Sequence, residues 1–305
     1  MICENKNSVT ILKTKGYTLS KCLSCGIIFS NKDEKEILDS KDIYSNYYKK
    51  EKSNRFGFFV ESIVKIFRLL RSYKIFLLKP KAKSILDIGS GRGWMLYFLK
   101  KYFKYERTAG TQIAENAYLF SKEKLKLEIY NKDLLELSLD GKFDVITLWH
   151  VLEHVENPEG YIEKIHELLN DDGVLYIEVP NWNSWTRVLA GKYWLALDLK
   201  HHLTFFTPKS LSTLLKKYNF KVKKINTFSF EYSTFTSIQS IVNLITNSDS
   251  YFFTSLGSRK FNLKIVLHTI LFILLFLPCL IINLCLYFSR KGEVIALIIE
   301  KNDRK

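Results

Sequence analysis

The first ten residues, MICENKNSVT, contain no sustained apolar run, which excludes a cleaved secretory signal and makes a cytoplasmic chain the expectation. Cysteine is scarce. Cys3, Cys22, Cys25, Cys279 and Cys285 make five, an odd number that argues against a disulfide framework and for a reducing compartment. No internal repeat or low-complexity linker interrupts the 305 residues, which suit one large domain with appendages or two modest ones. Acidic side chains also fall short. Asp and Glu number 31 against 46 Lys and Arg, a formal charge of +15. Such an excess favours an anionic partner: nucleic acid, an acidic or phosphorylated substrate, or membrane headgroups. The lysines are spread along the whole chain, so part of that charge is compositional background. Apolar residues, at 47%, are ample for a core.

Composition divides the chain into zones. Residues 1–35 hold three cysteines and short strand-like runs, and residues 36–80 are rich in Tyr, Phe and Lys and close on a helical stretch. Residues 81–230 alternate short β-branched apolar runs with amphipathic segments, the pattern of a parallel sheet crossed by helices. Residues 231–291 contain a long apolar block, and 292–305 one last strand-like run. The expected strands are Ser84–Ile88, Thr108–Thr111, Leu127–Tyr130, Phe143–Trp149, Val174–Val179 and Val222–Phe228. Asn157-Pro158 and Thr207-Pro208 each place a capping side chain before a first-turn proline, and Asn170-Asp171-Asp172-Gly173 is expected to turn the chain out of the first of these helices.

Ser84-Ile85-Leu86-Asp87-Ile88-Gly89-Ser90-Gly91-Arg92-Gly93-Trp94 runs an apolar strand into three alternate glycines and then an amphipathic helix. Glycines let the chain turn sharply and its backbone approach a ligand, and a helix N-terminus offers N–H groups to a negative charge. The segment resembles the first motif of class I S-adenosylmethionine-dependent methyltransferases. The likeness continues through Lys132-Asp133-Leu134, Phe143-Asp144-Val145-Ile146, Leu152-Glu153-His154-Val155, Asp172-Gly173-Val174-Leu175 and His202 to Thr207. Over residues 81–228 the chain resembles ubiquinone-pathway O-methyltransferases and glycan-cluster methyltransferases. The resemblance implies an α/β fold: a Rossmann-like seven-stranded sheet with helices on both faces and an antiparallel last strand, Gly292–Lys301, preceded by the apolar helical insertion. It implies that Gly89, Gly91 and Gly93 line the methionine end of S-adenosylmethionine, and that Asp87 holds the loop or contacts the amino group. Asp133 would accept a hydrogen bond from the adenine amino group. The usual acidic ribose-binding position falls on Gln112, whose amide bonds a hydroxyl without charge assistance.

Trp149-His150-Val151-Leu152-Glu153-His154 follows the fourth strand, where the family places the rim of its active site. The metalloprotease motif His-x-x-Glu-His needs a long helix, which argues against that match. Three roles stand open. Glu153 and His154 pair to orient the loop; His154 or His150 acts as general base; or His150, Glu153 and His154 hold a divalent cation, as a Glu-x-x-Glu-His run does in some relatives. His201 and His202 are placed to reach the substrate mouth or to pack, and Trp182, Trp185, Tyr193 and Trp194 to shape the acceptor pocket. Upstream, Lys21-Cys22-Leu23-Ser24-Cys25-Gly26 has the form of a zinc knuckle. Many relatives carry a four-thiolate ribbon here. In this chain only Cys3 precedes, with Lys6 where its partner would stand, so Cys22 and Cys25 mark either a zinc site or a degenerate ribbon.

Ile265–Phe288 reads IVLHTILFILLFLPCLIINLCLYF, without a formal charge. As one helix it would measure about 36 Å, enough to cross a hydrocarbon core of roughly 30 Å. A single crossing would strand Gly292–Lys301 away from the sheet it must join. Pro278 is expected to break the block into halves too short to span. Arg259, Lys260 and Lys264 on one side, with Arg290 and Lys291 on the other, favour both ends on the cytoplasmic face. A monotopic hairpin or interfacial helix pair meets these constraints; a true span and a soluble lid or dimer surface are the alternatives. Within Phe56–Leu78, Glu61, Lys65, Arg68, Arg71 and Lys74 recur at steps of three and four. That stretch is either a basic helix among headgroups or a helix packed over the cofactor cleft. The expected function is methyl transfer, to oxygen before nitrogen or carbon, onto a small-molecule, lipid-linked or glycan acceptor at the inner face of the cell membrane. Nucleic-acid methylation and a non-catalytic membrane scaffold are the rivals.

Overall fold

The computed structural model describes residues 7–14, 16–32, 58–247 and 263–302. Three antiparallel strands come first: β1 (Ser8–Thr14), β2 (Tyr17–Cys22) and β3 (Ile28–Lys32). Helix α1 (Phe58–Leu78) leads into β4 (Ser84–Ile88), α2 (Trp94–Phe103), β5 (Arg107–Thr111), α3 (Glu115–Leu119) and β6 (Glu128–Tyr130). Next come β7 (Phe143–Trp149), α4 (Pro158–Leu168), β8 (Leu169–Pro180), α5 (Trp185–Ala190) and β9 (Thr204–Phe205). The chain closes with α6 (Pro208–Lys217), β10 (Phe220–Asn226), α7 (Ser233–Thr246), α8 (Leu263–Leu286) and β11 (Val294–Lys301).

The main sheet has seven strands in the order β10-β11-β8-β7-β4-β5-β6. From β6 to β8 the strands run parallel. β11 is antiparallel to both neighbours, with Val294 opposite Pro180 and Ile299 opposite Val222. This is the Rossmann-like sheet with a reversed last strand that the motifs imply. The chain enters at β4 in the middle, moves outward through β5 and β6, and returns on the other side of β4 as β7. That reversal opens a crevice beyond the carboxyl ends of β4 and β7, where doubly wound sheets take ligands. The central strands are apolar because both faces are covered: Ile85, Leu86, Val145, Ile146, Leu175 and Ile177 are fully buried.

The helix punctuation is as the sequence reads. Asn157 accepts from Gly160 N at the start of α4, and Thr207 forms a reciprocal cap with Ser210 at the start of α6. The polar stretch after α4 departs from the expected turn. β8 already pairs at Leu169, opposite Phe143, and Asn170–Gly173 bulges before pairing resumes at Val145 and Val174. Asn170 Nδ2 donates to Asp144 Oδ1 at 2.8 Å, which fixes the bulge to the neighbouring strand.

The N-terminal strands depend on the main domain for their fourth partner. β3 pairs with β9, Ile28 opposite Phe205, giving a small sheet in the order β1-β2-β3-β9. Ile27 enters the main core, while Leu19 and Ile28 pack with Trp194 and Phe205.

α8 is one continuous helix with Pro278 inside it, not two halves. A proline there removes the bond to the carbonyl of Leu274. Leu271 and Leu275 before it and Cys279 after it pack with Ile238 and Val242 of α7, so one surface keeps both halves in line. Asn283, a turn further on, donates Nδ2 to Ser237 Oγ at 2.8 Å and accepts from Trp185 Nε1 at 3.3 Å. The opposite face is apolar and uncovered: Ile273 is 71% exposed, Leu274 65% and Leu277 61%.

Candidate active site

At the carboxyl end of β4 the chain turns through Gly89, Gly91 and Gly93, all at positive φ (71°, 56° and 72°). α2 then begins at Trp94. L side chains are strained in this conformation, which is why glycine recurs at alternate positions. A Cβ on Gly89 would lie 2.5 Å from Val151 Cγ2, and one on Gly93 2.7 Å from Leu127 Cδ1; one on Gly91 would meet nothing within 4 Å among the described residues. Gly91 therefore presents bare backbone to open space. β5 holds the loop: Gly89 N donates to Thr111 Oγ1 at 3.2 Å and Ser90 N to Thr111 O at 2.9 Å. Gly110 carried no motif signal, yet a Cβ on it would meet the side chains of Ser90 and Leu96 at 2.9 Å.

Asp87 is buried beneath the turn and accepts from Thr147 Oγ1 at 2.6 Å, anchoring β4 to β7 rather than bonding the loop. Burial raises its pKa to about 6, against the opposing pull of Thr147, Arg71 and Arg68. Gln112, at the end of β5, uses Oε1 to accept from Ala114 N at 2.9 Å, which leaves Nε2 as the group it can offer a hydroxyl. Asp133 accepts from Leu135 N at 2.9 Å on one oxygen and from the Tyr161 hydroxyl on the other.

β7 ends in a run of buried charge. His150, at a positive φ of 54°, is wedged between two carboxylates: Nδ1 stands 3.3 Å from Glu153 Oε1, and Nε2 3.5 Å from Glu178 Oε1. Burial works against a charged imidazole, but the two carboxylates outweigh it and raise its pKa to about 10. His150 thus keeps its proton near neutrality and has no lone pair to serve as a base. Burial raises Glu178 too, yet His150, Lys74 and Arg71 overcome that and lower it to about 2. The line extends outward: Lys74 Nζ donates to the Tyr176 hydroxyl at 2.6 Å, which donates to Glu178 Oε2 at 2.7 Å. Arg71 lies 4.2 Å above the Trp149 ring and pairs with Glu231 at 2.8 Å. The sequence signal that could have found this network is Glu178, the one charge in the apolar run Val174–Val179.

His154 is placed differently. Leu203 N and Thr204 N both donate to Glu153 O, at 2.8 and 3.1 Å, which folds the segment before β9 onto the turn after β7. His202 arrives beside His154, ring centroids 4.6 Å apart. His154 Nδ1 bonds His201 O at 3.0 Å and His202 Nδ1 bonds Ala196 O at 2.9 Å. A carbonyl only accepts, so both Nδ1 atoms carry protons, and the acceptor nitrogen of either ring in its neutral form is Nε2. Burial first, and then the proximity of a second imidazole that could carry charge, lowers the pKa of His202 to about 4. One ligand atom from each of Glu153, His154 and His202 falls within 4.8 Å of the others. Glu153 Oε2 receives no hydrogen bond among the described residues. Two imidazoles fixed through Nδ1 and one carboxylate are a donor set that suits a divalent cation. The set is not the expected one, since His202 takes the place of His150.

Cys22 and Cys25 lie on a tight turn, with Gly26 N donating to Cys22 O at 3.0 Å and Cys22 N to Ile27 O at 2.9 Å. Among the described residues no third candidate ligand gathers with them; Cys3 and Lys6 lie outside that range. The turn's visible effect is to seat Ile27 in the main core.

A sequence model of the methyltransferase domain matches residues 64–225, more than half of the chain and all of the crevice just described. The chain belongs to the class I S-adenosylmethionine-dependent methyltransferases. Ubiquinone biosynthesis O-methyltransferase of Glaesserella parasuis is 27% identical to this methyltransferase over 165 residues, 48% of this chain and 69% of that protein. The enzyme of that name from Pelagibacter ubique is 26% identical over 185 residues, 58% of this chain and 75% of its own. In fold, the methyltransferase is similar to the O-methyltransferase from a trans-AT PKS multienzyme of Brevibacillus brevis, solved with S-adenosyl-L-homocysteine. The TM-score is 0.51 at 13% identity, over 86% of this chain and 79% of that one. The site fits S-adenosylmethionine on its own terms, because the glycine turn leaves open backbone at Gly91 and the crevice lies at the reversal of strand order.

Proposed function

We propose that this methyltransferase methylates an oxygen of a small acceptor carried in or on the inner face of the cell membrane, with His154 as general base. The observation that carries the base assignment is the Nδ1 bond of His154 to His201 O, which leaves Nε2 with its lone pair at the rim of the crevice. When bound, S-adenosylmethionine supplies an electrophilic methyl on sulfonium sulfur. Gly89, Gly91 and Gly93 would hold its methionine end, Gln112 Nε2 would reach a ribose hydroxyl, and Asp133 would accept from the adenine amino group. His154 Nε2 would take the acceptor hydroxyl's proton as that oxygen gains the methyl and the methyl–sulfur bond breaks, the sulfur leaving as a neutral thioether. The Glu153 carboxylate, 4.0 Å away, stabilises the imidazolium. Alignment and exclusion of water supply most of the remaining acceleration.

Oxygen as the acceptor atom is supported by the ubiquinone biosynthesis O-methyltransferases among the relatives. A membrane acceptor is supported by α8, long and apolar enough to cross a bilayer, with little of its most apolar stretch buried. Because β11 returns to the sheet, the helix suits a position lying in the interface better than a crossing. Protein incubated with methyl-labelled cofactor and membrane lipid extract should give a labelled, lipid-soluble product. His154→Gln should lower kcat by about 10²-fold or more while calorimetry finds cofactor affinity kept. Label confined to RNA or protein would reject the proposal.

The cluster of Glu153, His154 and His202 favours a second possibility, a divalent cation that polarises the acceptor oxygen. Metal analysis with chelation separates the two: activity lost on chelation and restored by added cation supports the metal, and activity indifferent to chelator supports the base alone.

A further inference from the structure

The sheet edge that bears the crevice carries a second feature at its other end, beyond β8, β11 and β10. An open cleft of about 700 Å³ is lined by Arg187 on α5, Lys209 and Lys216 on α6, and Arg290 and Lys291 just before β11. Among the described residues no aspartate or glutamate lines it. Glu293, close by in sequence, is turned inward, where Thr186 Oγ1 donates to both its oxygens at 2.7 and 2.6 Å. Five cations gathered with no counter-charge repel one another, and the repulsion is relieved when an anion enters.

The cleft is fixed by its surroundings. Asn181 Nδ2 donates to Arg290 O at 3.2 Å and Gly292 O at 2.8 Å, and Trp185 N donates to Lys291 O at 3.0 Å. These bonds pin the segment carrying both cations to the end of β8. Arg187 lies 4.6 Å over the Trp182 ring, and its Nε is buried with no acceptor among the described residues. Burial pulls its pKa below the usual guanidinium value. A guanidinium that is stacked, partly desolvated and short of one acceptor is suited to an oxyanion with a fixed geometry.

The rim points to the source of that oxyanion. Val188 is 71% exposed at the cleft wall, and Phe288, 86% exposed, follows α8 directly before the cationic segment. Cations in a pocket whose rim continues into an uncovered apolar helix match the boundary between headgroups and acyl chains. A nucleic-acid groove would have aromatic or polar rims instead, with no use for an apolar helix of this length.

We infer that this cleft seats the phosphate of an anionic lipid headgroup, holding the enzyme against the membrane with α8 in the acyl region. The inference rests on the membrane reading above and deepens it by naming the headgroup chemistry. It is tested with full-length protein and vesicles of three compositions: phosphatidylcholine alone, phosphatidylcholine with phosphatidic acid, and phosphatidylcholine made equally negative with oleate, a carboxylate. Wild type should bind phosphatidic-acid vesicles at least tenfold more tightly than the other two, since each interfacial cation adds about a factor of five. Arg187→Gln with Lys216→Gln should erase that preference while binding to neutral vesicles persists. If that variant unfolds, Lys209→Gln with Lys216→Gln, both exposed on α6, serves instead. Equal binding to oleate vesicles, or a preference that survives both variants, would overturn the site. So would tighter binding of a short RNA, or of inorganic pyrophosphate with no gain from vesicles. No binding to any vesicle would sink the membrane reading itself, a result distinct from loss of the phosphate preference alone.

Discussion

Gly89 and Gly91 share a backbone conformation but not an environment, so their alanine variants should fail in different ways. Each pays about 1–2 kcal/mol for a side chain at positive φ. Gly89→Ala also drives its methyl to 2.5 Å from Val151, so its main effect should be a lower melting temperature. Gly91→Ala meets nothing within 4 Å among the described residues, and under the proposed cofactor placement its methyl would stand where S-adenosylmethionine binds. We expect it to keep most of its stability and to lose at least about tenfold in cofactor affinity by calorimetry. Unchanged affinity in Gly91→Ala would remove the cofactor from that turn. The two histidines of the β7 end divide on the same principle. His150 and His154 are equivalent as letters; only their neighbours make one a buried cation and fix the other through Nδ1 on the carbonyl of His201.

Among elements, α8 shows the clearest separation of faces. Cys279 and Asn283 turn toward α7, while Ile273, Leu274 and Leu277 are uncovered. Charging the uncovered face should spare the fold and abolish vesicle binding. Burying one such side chain contributes about 1.5–3 kcal/mol, so Ile273→Asp with Leu277→Asp should weaken partitioning into neutral vesicles by at least about a hundredfold. The melting temperature should stay near wild type. If partitioning survives and the variant dimerises less, the face belongs to a protein interface. Apolar composition made this segment legible as a helix, whereas its continuity through Pro278 was not, because the packing against α7 that holds both halves lies outside the segment.

For the whole molecule, Glu293 joins the last strand to the α5 lobe and sets a pH dependence. It is buried with hydroxyl and indole donors and no cation, and burial raises its pKa to about 7 from an ordinary 4.5. An acid whose folded pKa is raised penalises the folded state only when ionised. The penalty is absent below about pH 4.5, grows as pH rises, and is complete above about 7. Glu293→Gln should therefore melt higher than wild type at pH 8 and close to it near pH 5; parallel melting curves across that range would show that the carboxylate has another partner. The alternation of strands and helices and the glycine turn were readable from the residues themselves, whereas the reversed last strand was implied only by the family resemblance. The first two are written in a few consecutive residues whose backbone preferences and apolar period act locally. The pairing of His154 with His202, the capture of His150 between Glu153 and Glu178, and the union of Arg187, Lys209 and Arg290 in one cleft were not. Those groups are far apart in the chain, and their proximity exists only once the strand order and the loop over β7 are fixed.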